Sequence, residues 1–583
     1  MTTPLEPLVD LREVKAQCDA TRQAHKAMAK RAPWVRLWAN PPDDQMGRGL
    51  ILRGVVNDSI AGSFPFTIKD PATGTLRLRL DHYLAKWLIS IPDDPEAKKN
   101  VVISVDHMGR GKNCKLRWSG ILHHWTVKKD GFGVYYLEAT FIDDRQFLRY
   151  LLGPPNPALP IPVFQFPRVL PVFAPAKWGI SFLILINLMR VQSNWLQLPD
   201  DPFNWSSWVS GFDPRTWQAH IKADSLLADS SLWALLATRM NTMEEVISDT
   251  LDDAKLVMTY RRIFSVDGET PEDAGMGHLS SMRNGALVFE VVDKSGYYNP
   301  EGTWYTGEMF KGLARSAVQF LEGFVESILT PVTDDQGIWP DEYYQQGYWG
   351  QAPNRPWIVL RDSKWSQIET GSLTWNPAGP VSVIVGGSNP YADQMASLAI
   401  KAVGNILGYF ALAGFSSAGD IAESIIMPFL QGTILAWQQW KNTSRAKNLG
   451  WVHLWETYQQ GGDNAWSLAA AAALKAGFEA TESKTSHEFT MGVGPIYPGL
   501  HFMPGDRIGS TAEQIIKNKV FVDDVQVITL SWDFSSTNTD GPMWSFSVTV
   551  GTNEAGMSVS ERQARLVSKA LATIRDIGVR MVT

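Results

Sequence analysis

The hexapeptide TLRLRL at Thr75–Leu80 alternates leucine with arginine, and this alternation indicates the fold class of the first part of the chain. Successive side chains of a β-strand point to opposite faces, so the three leucines share one face and the two arginines share the other. The pattern therefore predicts a strand with one face in a core and the other face in solvent.

The same β pattern continues on the C-terminal side of this strand. It is found in NVVISVDH (Asn100–His107), KLRWSGILHHWTVKK (Lys115–Lys129) and FGVYYLEATFID (Phe132–Asp143). The Lys-Lys-Asp-Gly sequence that joins the last two segments is typical of a hairpin turn. We therefore predict an antiparallel unit over residues 35–142 with one short helix near His82–Ile89. Closure as a barrel or sandwich would hide its strand edges.

Helical and proline-rich patterns then replace the β pattern. DDRQFLRYLL (Asp143–Leu152) predicts a helix, and Gly153–Pro175 contains eight prolines, which remove backbone donors and predict an extended crossing segment. KWGISFLILINLMR (Lys177–Arg190) predicts a short apolar helix. His220–Ile263 is predicted to be mostly helical, and GALVFEVVD (Gly285–Asp293) is predicted to be a strand.

The C-terminal half combines predicted helices with a second β region. Helices are predicted at Met309–Leu329, over most of Tyr391–Ala480 and at Val559–Val579. VFVDDVQVITLSWDF (Val520–Phe534) and MWSFSVTVGT (Met543–Thr552) predict strands. The chain is therefore predicted to be an α+β multidomain protein, with a β region near each end and α-helical and aromatic-rich insertions between them.

Composition argues against several classes of function. The 583 residues include 53 Lys and Arg against 60 Asp and Glu, a formal net charge of −7. A nucleic-acid-binding surface needs a basic excess, so we expect no sequence-specific nucleic acid binding. The two cysteines, Cys18 and Cys114, provide neither a disulfide framework nor a metal-ligand spacing. The N-terminal segment is charged throughout, without the apolar region of a signal peptide, so we expect synthesis in a reducing cytoplasm.

The sequence carries no recognisable catalytic or cofactor-binding motif. Nucleophile elbows, HExxH, phosphate loops, Rossmann glycines and Cys-x-x-Cys pairs are absent from it. Asp143-Asp144 is predicted to cap a helix and Asp523-Asp524 to form a bulge or turn; a glycosidase pair would require a spatial separation that sequence does not give. His123-His124 is predicted to lie in a strand with its rings on opposite faces. We expect no enzyme activity, no cofactor and no metal site.

Several longer landmarks occur in a fixed order over almost the whole chain. They are SFPFTIKDPATGTLRLRLDHYLAKWL (Ser63–Leu88), RWSGIL (Arg117–Leu122), INLMR (Ile186–Arg190), ALVFEVVDKSGYYNPEGTWYTGEMFKGLAR (Ala286–Arg315), VGGSNPYADQMASLAIKAVGNILG (Val385–Gly408), TILAWQQWKNTSRAKNLGWVHLWETY (Thr433–Tyr458), AAALKAGFEATESKTSHEF (Ala471–Phe489) and GDRIG (Gly505–Gly509). Their order resembles the large minor tail proteins of actinobacteriophages with long non-contractile tails, a siphophage family.

The resemblance implies a structural role in the virion, at the tail tip. Proteins of this family are taken to form the tail-tip or baseplate hub, in which three subunits each present two tail-tube-like β-barrel domains. The resemblance therefore implies a homotrimer that contacts the distal tail protein, the tape measure protein and other minor tail proteins, and that takes part in host attachment and DNA delivery. The alternative is a glycan-binding adhesion module that recognises the host cell wall directly.

Six regions are predicted on this basis. They are an N-terminal helix (1–32), a first tube-like β-barrel domain (33–152), a Pro/Trp-rich crossing segment (153–218), a mixed α/β domain (219–385), an apolar helical region (386–482) and a second tube-like β region with a C-terminal helix (483–583).

The apolar stretch NILGYFALAGFSSAGDIAESIIMPFLQGTILAW at Asn405–Trp437 has three interpretations. Its glycines, its proline and its two carboxylates make it a poor permanent membrane span. It is predicted to form helices buried at the trimer axis or against a helix at Ser467–Ala476, where small residues permit close packing. It could instead be a hairpin released into the host membrane, or loops of no special function. The candidate membrane-contact residues are Phe410, Phe415, Phe429 and Trp437.

Aromatic side chains are most frequent between Gly337 and Trp375. They could pack between subunits as interface anchors or stack on the apolar faces of cell-wall sugars. The candidate residues for either role are Trp339, Tyr343, Tyr344, Tyr348, Trp349 and Trp357.

Overall fold

The chain forms two units. The first comprises residues 1–313, 340–372 and 488–552, and the second comprises residues 314–339, 373–487 and 553–583. The computed structural model describes residues 11–294, 358–388, 437–464, 477–511, 521–534 and 544–552, with short gaps inside the first, second and fourth of these ranges. The helices predicted at Met309–Leu329 and Val559–Val579 lie outside the described residues.

The elements are numbered in chain order. The α-helices are α1 (Leu11–Ala29), α2 (Tyr83–Ser90), α3 (Ala176–Gln192), α4 (Trp205–Ser210), α5 (Met243–Asp253) and α6 (Thr443–Leu449). The strands are β1 (Trp34–Ala39), β2 (Ile51–Val56), β3 (Ala61–Thr67), β4 (Thr73–Arg79), β5 (Val101–His107), β6 (Leu116–Lys129), β7 (Tyr135–Asp143), β8 (Leu152–Gly153), β9 (Leu170–Pro175), β10 (Ala219–Lys222), β11 (Trp233–Thr238), β12 (Asn241–Thr242), β13 (Leu256–Ile263), β14 (Ala286–Asp293), β15 (Val359–Arg361), β16 (Ile368–Asn376), β17 (Ser382–Ser388), β18 (Trp437–Lys441), β19 (Glu456–Asn464), β20 (Lys484–Met491), β21 (Arg507–Thr511), β22 (Phe521–Asp533) and β23 (Trp544–Gly551).

The strand predicted from TLRLRL is confirmed as β4. Leu76 and Leu78 are buried, while Arg77 and Arg79 are exposed, as the alternation requires. The strands predicted around β5, β6, β7, β14, β22 and β23 are confirmed, and so are the short helix α2 and the apolar helix α3. The helix predicted at Asp143–Leu152 is instead a 3₁₀ helix at Asp144–Arg149, followed by β8.

A large, mostly antiparallel sheet dominates the first unit. Its strand order is β2-β1-β5-β6-β7-β4-β3-β22-β23-β20-β16. Strands β3 and β22 pair from Thr67↔Val527 to Ala61↔Asp533, so the two β regions that the sequence placed near opposite ends of the chain form one sheet. Among the described residues this order is open, with β2 at one end. The prediction of closed barrels is therefore not confirmed.

The first core lies against this sheet. The rings of Phe64 and Trp118 meet edge to face with centroids 5.0 Å apart, and both side chains are fully buried. Gly74 in β4 permits this approach, because a Cβ atom there would lie 2.6 Å from the Phe64 ring and 2.8 Å from the Trp118 ring. Residues from β22 and β23, such as Ile528 and Val548, complete the same core.

A second core in the first unit packs α3 and α5 against a small sheet of order β10-β14-β13. The prediction that His220–Ile263 is mostly helical is wrong, because this region holds four strands and the single helix α5. Strand β13 explains the error. Leu256 and Met258 enter the second core, while Ile263 enters a separate cluster, so the strand lacks the polar alternation that distinguishes a strand from a helix.

The second unit contains a three-stranded sheet of order β18-β17-β19. Strand β18 is antiparallel to β17, whereas β19 is parallel to it. The region predicted as apolar helices therefore has strands at residues 437–441 and 456–464, besides helical residues in α6 and at 477–478. The predicted region boundaries stay predictions.

Candidate functional site

A buried carboxylate, Asp106, is the centre of an ion-pair network in the first unit. Asp106 on β5 lies directly opposite Arg117 on β6, and its side chain is fully buried. Arg117 donates to both carboxylate oxygens, from Nε at 2.6 Å and from Nη2 at 2.9 Å. Arg36 on β1 donates from Nη2 at 3.0 Å. Two arginines on neighbouring strands therefore bind one carboxylate, in the geometry that makes such pairs strong.

The network extends from the large sheet to the loop that follows β13. Arg117 donates from Nη1 to Glu269 at 2.9 Å, and Arg36 donates from Nη1 to Asp267 at 2.7 Å. Arg261 on β13 also binds Glu269, at 3.0 Å. Three arginines thus face three carboxylates, counting Asp106, and the formal charges cancel.

A second buried pair joins the same two parts of the unit. Arg262 on β13 binds both oxygens of Asp144, from Nε at 2.7 Å and from Nη2 at 2.6 Å, and Ser119 on β6 also donates to this carboxylate. Arg262 uses its remaining Nη1 to bind the Gly285 carbonyl at 2.8 Å. Asp144 was predicted to be part of a helix cap, but its side chain is instead a buried ion-pair partner.

Asp143 has the predicted capping role. Its carboxylate accepts from the backbone N–H of Arg145 at 3.1 Å, at the start of the 3₁₀ helix, and from that of Ala72 at 2.9 Å. Burial raises the pKa of Asp143 to about 7. The neighbouring Arg145 pairs with Glu244 on α5 at 2.8 Å, which ties the second core to the same turn.

The pKa values of the network residues show that pairing outweighs burial. Burial alone would lower the pKa of Arg117, but hydrogen bonds and charge contacts with Asp106, followed by those with Glu269, raise it. For Glu269 burial opposes ionisation, and the contacts with Arg117 lower the net pKa. Both groups are therefore charged, and each depends on its partners to stay so.

Aromatic rings cover the guanidinium of Arg36. Its Cζ lies 3.8 Å from the centroid of Trp34 and 4.9 Å from that of Phe264. Phe264 in turn stacks on Trp38, with centroids 4.2 Å apart and planes 8° apart. These rings exclude water from the ion pairs and add a cation–π contribution.

The arrangement supports a structural role and provides no catalytic geometry. The carboxylates are paired with arginines, and no nucleophile and base come together in the network. No group of three or more His, Cys, Asp and Glu side chains suited to a metal ion occurs within the part of the chain that the structure describes. The network therefore connects the large sheet to β13 and the loop that follows it, which are together called the β13 layer below.

The network residues were not predicted from the sequence, although the sequence carries a weak signal for them. Asp106 is the one charged residue of the apolar strand VVISVDH, and Arg36 stands between apolar residues in WVRLW. A charge at a core-facing position of an apolar strand indicates a buried partner. The identity of each partner could not be read from the sequence, because Arg36 and Asp267 are 231 positions apart and Arg117 and Glu269 are 152 positions apart.

His123-His124 lies in strand β6 as predicted, but the prediction that the two rings are on opposite faces is wrong. The register between β6 and β7 shifts between Leu122 and His124, which indicates a bulge. The bulge interrupts the alternation, and the two Nδ1 atoms lie 2.7 Å apart on the exposed part of the strand. Asp523-Asp524 is not a turn either, because both residues lie within β22 and pair with β21; the register shift comes just after them, between Val525 and Val527.

The candidate contact residues lie mostly outside the described residues. This applies to Phe410, Phe415 and Phe429, and to the aromatic set Trp339, Tyr343, Tyr344, Tyr348, Trp349 and Trp357. Trp437 is the first residue of β18, with its backbone paired to Gly386, so it lies in a strand and not in a helix. No helix in the described ranges is both long enough and apolar enough to cross a membrane.

Comparison with known families agrees with the predicted resemblance. A family model described as Siphovirus ReqiPepy6 Gp37-like protein matches residues 34–552. Minor tail protein Gp28 of Mycobacterium phage L5 is 27% identical over 533 residues, which are 84% of this chain and 87% of the relative. Minor tail protein Gp28 of Mycobacterium phage D29 is 26% identical over 534 residues, with the same coverage. The chain therefore belongs to the Siphovirus ReqiPepy6 Gp37-like family, and the resemblance to phage minor tail proteins is confirmed.

Solved structures of other tail proteins are more distantly similar. The tail protein from Neisseria meningitidis MC58 matches with a TM-score of 0.36 and 10% identity, covering 90% of this chain and 97% of that chain. The 43 kDa tail protein of prophage MuSo2 from Shewanella oneidensis matches with a TM-score of 0.36 and 7% identity, covering 90% and 98%.

Proposed function

We propose that this minor tail protein is the tail-tip hub of a siphophage virion. In this proposal three copies close the tail tube, contact the distal tail protein, the tape measure protein and other minor tail proteins, and open for DNA delivery during host attachment. The family match over residues 34–552 supports the proposal, because it includes both β regions that contribute to the large sheet.

The observation that carries the proposal is the open edge of the large sheet. Among the described residues β2 pairs only with β1, and Ile51 and Leu52 on it are exposed. An edge strand with exposed apolar side chains invites pairing with another chain, and proteins normally block or cover such edges. Neighbouring copies in a closed ring would cover this edge and would complete the tube-like barrels that the isolated chain leaves open.

The buried network supports the same proposal. A hub must keep its shape when the tail engages a host surface. The ion pairs around Asp106 join the large sheet to the β13 layer across segments that are far apart in sequence. Because breaking a buried pair strands a charge, such a network opposes partial unfolding of either layer.

The position and copy number in the virion test the proposal directly. We expect quantitative mass spectrometry of purified virions to give three copies per particle, and gold labelling of an epitope-tagged chain to mark the end of the tail distal to the head. Labelling along the tube, or a copy number that scales with tail length, would contradict the hub assignment.

A variant of the edge strand β2 tests whether this edge is the contact between copies. We expect Leu52→Lys to reduce the trimer fraction of the purified chain in mass photometry while leaving its circular dichroism unchanged. Val127→Lys, an exposed valine on β6, is the matched control and should leave the trimer intact. Undiminished trimers of Leu52→Lys would show that β2 is not the contact between copies.

The glycan-binding adhesion module is the alternative function. It depends on the aromatic residues between Trp339 and Trp357, which lie outside the described residues. Retention of the purified chain on isolated host cell wall, lost in Trp349→Ala without loss of assembly, would support it. Equal retention of this variant would remove glycan contact through Trp349.

A further inference from the structure

Four large apolar side chains are exposed on one short loop of the second unit. The loop, residues 450–455, connects α6 to β19 and has the sequence GWVHLW. Trp451 is 95% exposed, Val452 80%, Leu454 67% and Trp455 79%. Large apolar groups are exposed singly on most proteins, but a contiguous set of this kind marks a contact surface.

The backbone of this 450–455 loop is fixed by hydrogen bonds at both ends. Gly450 adopts φ +84°, which permits the sharp exit from α6, and its carbonyl lies 2.9 Å from Nδ1 of His453. The carbonyls of Leu454 and Trp455 accept from the backbone N–H groups of Val381 and Ser382, at 3.1 and 3.0 Å. Because the backbone is held, the apolar side chains are displayed outward at low entropic cost to a partner.

A buried arginine anchors the helix that precedes the loop. Arg445 on α6 is fully buried, and its guanidinium donates to the Pro380 carbonyl at 3.1 Å, to the Thr481 hydroxyl at 2.9 Å and to the Phe478 carbonyl at 3.3 Å. Asn442 caps the same helix by accepting from the Arg445 N–H at 2.8 Å. Both ends of the α6–loop segment are therefore tied to the second unit.

The side-chain chemistry of the loop selects among three kinds of occupant. Sugar-binding sites present flat aromatic faces beside polar groups, whereas the branched aliphatic residues Val452 and Leu454 lie between the two tryptophans in the sequence of this loop. A protein interface core is depleted in lysine, whereas two exposed lysines adjoin the loop: Lys441 on β18 pairs with Ser382, whose N–H binds the Trp455 carbonyl, and Lys447 lies on α6 just before the loop. Tryptophan with aliphatic side chains at the tip and lysine behind them is the combination that enters a bilayer interface.

Charge near the loop favours anionic lipid headgroups. Lys441 and Lys447 give two positive charges, and Glu456 gives one negative charge, whose carboxylate accepts from the Gln439 amide at 3.2 Å. The local excess is positive although the whole chain carries a formal charge of −7. Each basic residue close to a negatively charged membrane surface adds roughly 1 kcal/mol of attraction.

We propose that the 450–455 loop inserts into the interface of a lipid bilayer that contains anionic headgroups. Trp451, Val452, Leu454 and Trp455 enter the headgroup and upper acyl region, while Lys441 and Lys447 contact the headgroup phosphates. The inference rests on the proposed function, because a protein at the tail tip is positioned to meet the host membrane. It differs from release of the 405–437 stretch, since it requires no rearrangement of the loop.

Vesicle flotation of the purified full-length chain tests this inference. We expect the chain to float with phosphatidylcholine vesicles that contain phosphatidylglycerol, and to bind more weakly to phosphatidylcholine alone and at high salt. The double variant Val452→Asp/Leu454→Asp should lose at least about tenfold in apparent affinity, because it places two carboxylates in the inserted layer. Phe132→Asp is the matched control, since this residue is 96% exposed on the β6–β7 turn beside lysines and should leave flotation unchanged.

Two measurements separate the remaining outcomes. Circular dichroism and mass photometry of the double variant check its fold and oligomeric state. Loss of oligomers in the variant would identify the loop as a contact between copies and would overturn membrane insertion. Absence of flotation by the unmodified chain, or equal flotation of the double variant, would also overturn it. A virion copy number that contradicts the hub would leave a positive flotation result intact, so the two failures are distinguishable.

Discussion

Proteins usually expose charged side chains and bury apolar ones. The ion-pair network around Asp106 departs from this rule by burying charge, and the 450–455 loop departs from it by exposing apolar side chains. The first unit buries charge, with Asp106, Arg36 and Arg117 all at most 8% exposed. The second unit exposes apolar groups, with Trp451 almost fully accessible. Buried charges depend on partners inside the chain, whereas exposed apolar groups depend on partners outside it. The network therefore concerns stability, and the loop concerns contact.

The largest expected effect comes from removing the central carboxylate. Asp106→Ala leaves Arg36 and Arg117 buried without their shared acceptor, and we expect a loss of about 3–5 kcal/mol in the free energy of unfolding. Chemical denaturation followed by circular dichroism measures it. Arg79→Ala is the control, because the Arg79–Asp81 pair is exposed, and its removal should leave the midpoint unchanged. Equal midpoints for both variants would contradict the importance of the network.

The next effect concerns His107, a buried polar side chain whose ring nitrogens, unlike the network residues, have no hydrogen-bond partner among the described residues. Neither ring nitrogen of His107 makes a hydrogen bond to the described residues, and burial lowers its pKa to about 4. The folded-state pKa lies below the unfolded value of about 6.5, so the unfolded chain binds the proton more tightly and stability falls as the pH drops from 6.5 towards 4.

We expect His107→Leu to remove this acid-sensitive part of the stability. The variant should gain up to about 3 kcal/mol over the unmodified chain at pH 4 and differ little from it at pH 7.5. Unfolding free energies at both pH values measure the difference. A pH profile of His107→Leu that runs parallel to that of the unmodified chain would show that His107 is not the titrating group.

Arg445 tests whether the exposed loop depends on a buried charge of its own. We expect Arg445→Met to destabilise the second unit by about 2 kcal/mol, because several charge-assisted hydrogen bonds to backbone and hydroxyl oxygens are lost. Limited trypsin digestion should cleave faster at Lys441 and Lys447, and vesicle flotation should weaken in parallel. Lys447→Met on the same helix is the control for stability. Unchanged protease resistance of Arg445→Met would show that the loop is held by its backbone hydrogen bonds alone.

The smallest expected effect on the free energy of unfolding comes from the exposed loop. Trp451→Ser and Leu454→Ser remove side chains that pack on almost nothing, so the free energy of unfolding should change by less than about 0.5 kcal/mol. Denaturation midpoints measure this effect beside the Asp106→Ala midpoint. A loss of several kcal/mol in either serine variant would mean that the loop is part of a core and not a contact surface.

Local pattern correctly predicted seven strands of the first unit, β4 to β7, β14, β22 and β23. The alternation in TLRLRL and the apolar runs around β22 and β23 predicted strands that the structure contains, because period-2 alternation reports local backbone geometry directly. His220–Ile263 was mispredicted because a strand covered on both faces loses its alternation. The bulge at His123 was missed because one extra residue leaves no trace in composition.

The two candidate sites also show which features can be recognised in the sequence and which need the structure. A lone charge in an apolar strand, such as Asp106, can be recognised in the sequence, but its role needs the identity of its partners. The exposed loop falls within the landmark Thr433–Tyr458, yet apolar residues are as typical of a core as of a surface. Only the paired carbonyls of Leu454 and Trp455 and the measured exposure distinguish the two for this loop.

The sequence by itself determined the family and the position of seven strands, β4 to β7, β14, β22 and β23, because each depends on short-range pattern or on residue order. Tertiary structure alone decided that β3 pairs with β22, that Arg117 binds both Asp106 and Glu269, and that Trp451 faces solvent. These features depend on which distant segments meet. The loop-closure free energy that brings them together is offset only by the packing of the whole unit, so no short segment carries the information.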